Sequence, residues 1–148
     1  MKIRKMKLLT IFLLLLPLFM AILGAGCEKD EQECSTVAVN GNEDDIAGKW
    51  KLIKGEEVYY NPRTVNYSCN NVIYHFQPDD ILIITSDIGD IIGFEPGQYS
   101  YEFSLTENKE NYILKIGHLQ GECVISSTNL NISYSSLDGP ILNFVRIQ

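Results

Sequence analysis

Beyond Ile46 no apolar run keeps a helical period. The apolar residues instead come in short alternating segments that stop at Gly, Pro, Asn or Asp. A period of two places one set of side chains on one face of an extended chain, so this pattern restricts the domain to β-structure. Trp50 and Leu52 share a face of the first segment, which starts at Gly48 and weakens at Gly55. Val72, Tyr74 and Phe76 pattern the second. The turn Gln77-Pro78-Asp79-Asp80, in which proline presets φ, leads to a third from Ile81 to Thr85. A long loop with Gly89, Gly93, Pro96 and Gly97 precedes the fourth, along which Tyr99, Tyr101 and Phe103 share a face. Tyr112, Leu114 and Ile116 mark the fifth, Cys123 and Ile125 the sixth, Leu130 and Ile132 the seventh. After Asp138-Gly139-Pro140 the eighth runs from Ile141 to Ile147.

Eight short strands joined mostly by tight turns, with no helix to make a crossover, favour antiparallel neighbours in up-and-down order. Closing such a sheet removes its edges, and an eight-stranded barrel is just wide enough inside to be filled by side chains or to hold one small ligand. The expected class is therefore all-β, an eight-stranded antiparallel up-and-down barrel spanning residues 46–148. A sandwich of two sheets is the alternative that satisfies the same local pattern.

The first 26 residues carry a different signal. Lys2, Arg4, Lys5 and Lys7 precede an apolar run from Leu8 to Leu23 broken by Thr10 and Pro17, the profile of a secretory leader. The run ends in Leu23-Gly24-Ala25-Gly26-Cys27, which resembles the lipobox of bacterial lipoproteins, with Gly24 where that pattern usually has leucine. The resemblance implies cleavage before Cys27 and lipid on its thiol. Two or more acyl chains, at about 0.8 kcal/mol per buried methylene, anchor a protein stably. An uncleaved spanning helix is the alternative, and the small residues and acids after the run argue against it. Lys29, Asp30 and Glu31 resemble the export signal that follows the lipidated cysteine in surface lipoproteins of the Bacteroidota. This implies an outer-membrane, lipid-anchored protein facing outward, against a solvated acidic linker facing the periplasm.

Charge narrows the function classes. All 19 acidic residues follow Cys27 whereas four of the 12 basic ones precede it, so the chain from Cys27 onward has a net charge of −11. Such a chain as a whole is repelled by nucleic acid and by anionic lipid, and a nucleic-acid partner is excluded on that ground. Residues 27–45 are acidic and poor in apolar groups, and are expected to form a flexible tether.

With Cys27 lipidated, Cys34, Cys69 and Cys123 remain in a compartment that permits disulfides. Cys69 and Cys123 each open a strand-like run within the domain. The expected bridge therefore joins Cys69 to Cys123, worth about 4 kcal/mol in the chain-entropy description, and leaves Cys34 free in the tether. No CxxC spacing occurs and His75 and His118 lie apart, so no metal site is expected.

Gly48-Lys49-Trp50, the Asp138-Gly139-Pro140 turn and Phe144-Val145-Arg146-Ile147 resemble the corresponding elements of lipocalin-like proteins of the calycin superfamily, in particular the small lipocalin-like lipoproteins of the Bacteroidota. The resemblance covers residues 46–148 and lacks the other motifs of large lipocalins. It implies that Gly48 and Trp50 open the first strand and that Arg146, from the last, packs over Trp50 to close one end. It also implies a small apolar or amphipathic ligand inside the barrel. The inner faces richest in aromatics would line that pocket, which names Tyr74, Phe76, Tyr99, Tyr101, Phe103 and Tyr112. Ordinary barrel filling explains the same tyrosines. No catalytic constellation and no cofactor are expected: Asp79-Asp80 reads as a turn, Asp87 and Asp90 as loop solvation, and His75 as a strand residue. Two functions follow: a carrier or sensor at the cell envelope, or a filled barrel whose loops, chiefly Asp87 to Gly97 and Gly55 to Asn70, contact another protein, as an inhibitor or as an accessory to an outer-membrane complex.

Overall fold

The computed structural model describes residues 34–59, 61–107 and 111–148. Cys27, Lys29, Asp30 and Glu31 lie outside them, as does the proposed leader. The alternating segments form strands β1 (Gly48–Glu57), β2 (Arg63–Asn66), β3 (Ile73–Phe76), β4 (Ile81–Thr85), β5 (Gly97–Leu105), β6 (Tyr112–Ile116), β7 (Leu119–Ile125), β8 (Asn129–Ser133) and β9 (Ile141–Ile147). A 3₁₀ turn, Ser135–Leu137, precedes β9.

Each strand from β3 on pairs antiparallel with the next, and β9 returns to pair with β1, so the sheet closes. The barrel has eight staves although nine strands are present. β2 and β3 occupy the same edge of β1, opposite Lys54–Glu57 and Gly48–Lys51 respectively, and together make one stave. An excursion of six residues, 67–72, splits that stave. It stays tied to β1, the Leu52 N–H donating to the Val72 carbonyl and the Tyr67 N–H to that of Ile53.

The seam between β1 and β9 runs from Lys49 opposite Ile147 to Glu56 opposite Ile141, with a bulge at Ile53. The bulge resets the alternation: Trp50 and Leu52 point inward before it and Gly55 after it. β5 serves two neighbours by halves, Gly97–Ser100 against β4 and Tyr101–Leu105 against β6, which gives the barrel its shear.

Trp50, Leu52, Tyr74, Phe76, Leu82, Leu114, Ile116, Ile132 and Leu142 are fully buried on the inner faces. At about 1.5–3 kcal/mol for each large apolar side chain removed from water, this interior dominates the stability of the fold. Gly121 on β7 is also buried. A Cβ there would lie 2.6 Å from the Ser133 carbonyl oxygen and 2.8 Å from the Tyr134 ring, so the missing side chain makes the seat for Tyr134.

The acidic segment expected to be a loose tether is, from Cys34 onward, laid along the barrel. The Val39 N–H donates to the Arg146 carbonyl and that of Gly41 to the Ser127 carbonyl, at 3.0 and 2.8 Å. Ile46 is buried. Backbone hydrogen bonds and a covalent clasp hold this strap, which explains how so few apolar residues suffice.

Candidate functional site

One end of the barrel is closed by charge stacked on an aromatic ring. Arg146 lies 4.2 Å above the Trp50 ring and is only 7% exposed. Its Nη1 donates to the Ala47 carbonyl, and its Nη2 to those of Asn42 and Asp45 at 3.0 and 2.8 Å. The Trp50 indole N–H donates to the Ile46 carbonyl at 2.8 Å. Burial lowers the Arg146 pKa, with the Asp45 charge opposing that shift. A guanidinium nevertheless stays protonated at any ordinary pH. The strap thus crosses this end on carbonyls that a fixed cation gathers together. Gly48, beside it, adopts a φ of 123°.

The other end is plugged by the loop between β4 and β5, residues 86–96. Ile91 and Ile92 are buried there, at 6% and 1% exposure, although neither belongs to a strand. Two phenols rising from the barrel meet the loop backbone: the Ile92 N–H donates to the Tyr67 hydroxyl at 2.7 Å, and the Phe94 N–H to that of Tyr74 at 3.3 Å. Burial raises the pKa of both phenols. Gly93 has a φ of 116°, and a Cβ on it would approach Tyr74 Oη to 3.0 Å.

Two latches hold the plug from outside. Arg63 of β2 reaches both carboxylate oxygens of Asp90, at 3.1 and 3.3 Å, and its Nε donates to Glu57 at 2.7 Å. The guanidinium hydrogen bonds hold the Asp90 carboxyl below its usual range. Asn71 donates through its backbone and its side-chain amide to the two oxygens of Asp87. The sequence offered one sign of this plug, the apolar residues Ile88, Ile91, Ile92 and Phe94 set among the acids and glycines of a loop.

The residues expected to line a pocket pack against one another or against Phe144 and Phe94. Tyr74, Phe76 and Tyr101 are buried. Tyr74 meets Phe144 edge-on at 4.8 Å between ring centres, and Phe76 meets Tyr101 at 5.1 Å. The Tyr101 hydroxyl donates to the Gln77 carbonyl. Tyr99 contacts Phe94 of the plug and donates to the Glu95 carbonyl, which places it at the plugged mouth. Phe103 and Tyr112, both half-buried, stack at 4.6 Å. The Tyr112 hydroxyl donates to Asp44 of the strap, and that hydrogen bond raises its pKa. Tyr134, 1% exposed, has no hydrogen-bond partner for its hydroxyl.

The cysteines require a correction. Cys34 is bridged to Cys69, with Cα atoms 4.9 Å apart, whereas Cys123, expected to pair with Cys69, is a buried free thiol. Cys123 lies on the inward face of β7, between Gly121 and Ile125, while Cys69 is an exposed residue of the excursion in the second stave. They face different sides of the wall. Cys34 is brought to the excursion by its own N–H, which donates to the Ser68 hydroxyl at 3.1 Å. Burial pushes the Cys123 thiol up to about 12.

The outer surface of the barrel carries concavities. A groove of about 370 Å³ runs over β7, β8, β9 and β1 and is lined by Ile53, Val124, Asn131, Asn143 and Val145. A smaller one of about 240 Å³ lies on the plugged rim, between Val58, Tyr59 and the Asp138-Gly139-Pro140 turn. No group of three or more His, Cys, Asp or Glu among the described residues is placed to hold a metal ion. Comparison with protein-family models, with curated proteins and with solved structures finds no match to this chain.

Proposed function

We propose that the chain is a lipid-anchored, lipocalin-like lipoprotein of the outer membrane, displayed at the cell surface, and that its barrel works as a filled module engaging another envelope protein through its outer surface. Cys27 carries the lipid in this reading, and Lys29, Asp30 and Glu31 direct export. The observation that carries the second half is the state of the inner aromatics. Tyr74, Phe76 and Tyr101, the side chains best suited to hold an apolar ligand, spend their surface on Phe144, on one another and on the loop that plugs the mouth. A carrier pocket needs about 300 Å³ or more of open cavity.

A second reading is favoured by one atom, the Tyr134 hydroxyl. A buried phenol without a partner costs roughly 1–3 kcal/mol, a cost that a ligand entering beneath the plug would remove. In that reading the protein is a carrier seen closed.

Native mass spectrometry of the gently purified protein, before and after organic extraction, separates the two. The filled module gives one mass and binds no environment-sensitive apolar dye. An extractable adduct of a few hundred daltons, whose retention falls in Tyr101→Ala, would overturn it in favour of the carrier.

A further inference from the structure

The outer wall of β9, β1 and β3 differs from the rest of this acidic molecule. Lys49 and Lys51 alternate with the inward Trp50 and Leu52, so they point outward. In register beside them stand His75 and Ile73 on β3, and Ile147 and Val145 on β9. No outward position of β3, β4 or β9, nor of β1 from Gly48 to Ile53, is acidic. Glu56, farther along β1, is paired with Lys54 at 2.7 Å. The opposite wall carries Glu102 and Glu122, with Lys115 bound to Glu102.

The clasp acts on this same wall. The Cys34–Cys69 bridge fixes the strap beside β1, and the Lys51 ammonium donates to the carbonyl of Ser68, the residue before Cys69. From Cys34 to Val39 the strap is uncharged, and Val37 stands 84% exposed on it. Seven residue steps separate Cys34 from Cys27. Even fully extended they reach only about 25 Å.

We propose that this wall is the face the protein turns to the membrane that holds its lipid, with Lys49 and Lys51 against headgroup phosphates and Val37 and Ile73 at the interface. The inference rests on lipidation of Cys27. A cationic, partly apolar face held within a short leash of an anionic surface is drawn to it, while the acidic opposite wall is repelled. The barrel then presents its β5, β6 and β7 wall outward.

The test uses the full lipidated protein in phosphatidylcholine vesicles containing phosphatidylglycerol, and the same protein in neutral detergent micelles as reference. An amine-acylating reagent is applied briefly and modification is read residue by residue by mass spectrometry. On vesicles Lys49 should react about fivefold more slowly than in micelles, Lys115 should react equally in both, and 0.5 M salt should restore most of the Lys49 rate. Equal rates at Lys49, or slowing at Lys115 instead, overturn the proposal. The mass of the N-terminal peptide separates the two claims: acylated Cys27 with unprotected Lys49 sinks only the orientation, whereas an unmodified Cys27 sinks both.

Discussion

Arg146 and Trp50 sit directly opposite each other across the β1–β9 seam, with the guanidinium carbon 4.2 Å from the indole centre. This one side chain also donates to the carbonyls of Asn42, Asp45 and Ala47. Replacing Arg146 by Ala should cost about 2–4 kcal/mol, since it removes a cation–π contact and leaves part-buried carbonyls unpaired. Arg146→Lys should recover less than half of the loss, because an ammonium cannot stack and reach the same fork of acceptors. Urea midpoints of the three proteins at constant slope measure both.

The disulfide closes a loop with a sequence separation of 35. Cys34→Ser should therefore lower stability by about 4 kcal/mol in the chain-entropy description, and by the same amount as Cys69→Ser. Cys123→Ala should leave the bridge intact and cost only about 1–2 kcal/mol for the small void. Denaturation curves with peptide mapping under non-reducing conditions check both statements, and a Cys69–Cys123 peptide in the unreduced digest would refute the assignment.

Alkaline pH should weaken the fold through Cys123. Its thiol is held at about 12 by burial, against an unfolded value near 9, so between these the unfolded chain has lost a proton that the folded chain keeps. Stability is then fully present below about pH 8.5 and falls as pH rises toward 12. The buried Tyr74 and Tyr134 phenols, also raised, extend the loss above the usual tyrosine range. Thermal midpoints should drop from pH 9 upward, less steeply in Cys123→Ala. Iodoacetamide at pH 8 should modify Cys123 only after denaturant is added.

Gly121 tests the seat of Tyr134. An alanine Cβ would press on the Ser133 carbonyl oxygen at 2.6 Å and on the Tyr134 ring at 2.8 Å. Backbone cannot yield cheaply, and Gly121→Ala should cost about 1–3 kcal/mol. Gly97→Ala meets nothing closer than 3.6 Å, at Tyr99, and should stay within about 0.5 kcal/mol of the parent. Calorimetric midpoints of the two variants decide it.

The barrel was legible because a period of two survives in each of its eight main strands, and each inner face carries large apolar groups such as Tyr74 with Phe76, and Leu142 with Phe144. β2 was not: Arg63-Thr64-Val65-Asn66 has one apolar residue, and its pairing comes from the end of β1. The strap and the plug were hidden for another reason. Backbone donors and remote side chains such as Arg146 and Tyr67 position them, and no local pattern records such partners. The position of Cys123 was open to reading, since alternation with Gly121 and Ile125 already set it on the inner face. The Cys34–Cys69 pairing required the strap, and so required three dimensions.

The seam has a kinetic consequence. From β3 to β9 each pairing joins neighbours in the chain, whereas the seam joins Lys49 to Ile147 and the Arg146 side chain to Asn42, 104 positions away. Loop-closure entropy makes such contacts late to form, and interactions absent from the folding transition state govern how fast the native state is lost. Arg146→Ala should accordingly steepen escape from the native barrel, raising the unfolding rate while the refolding rate hardly moves.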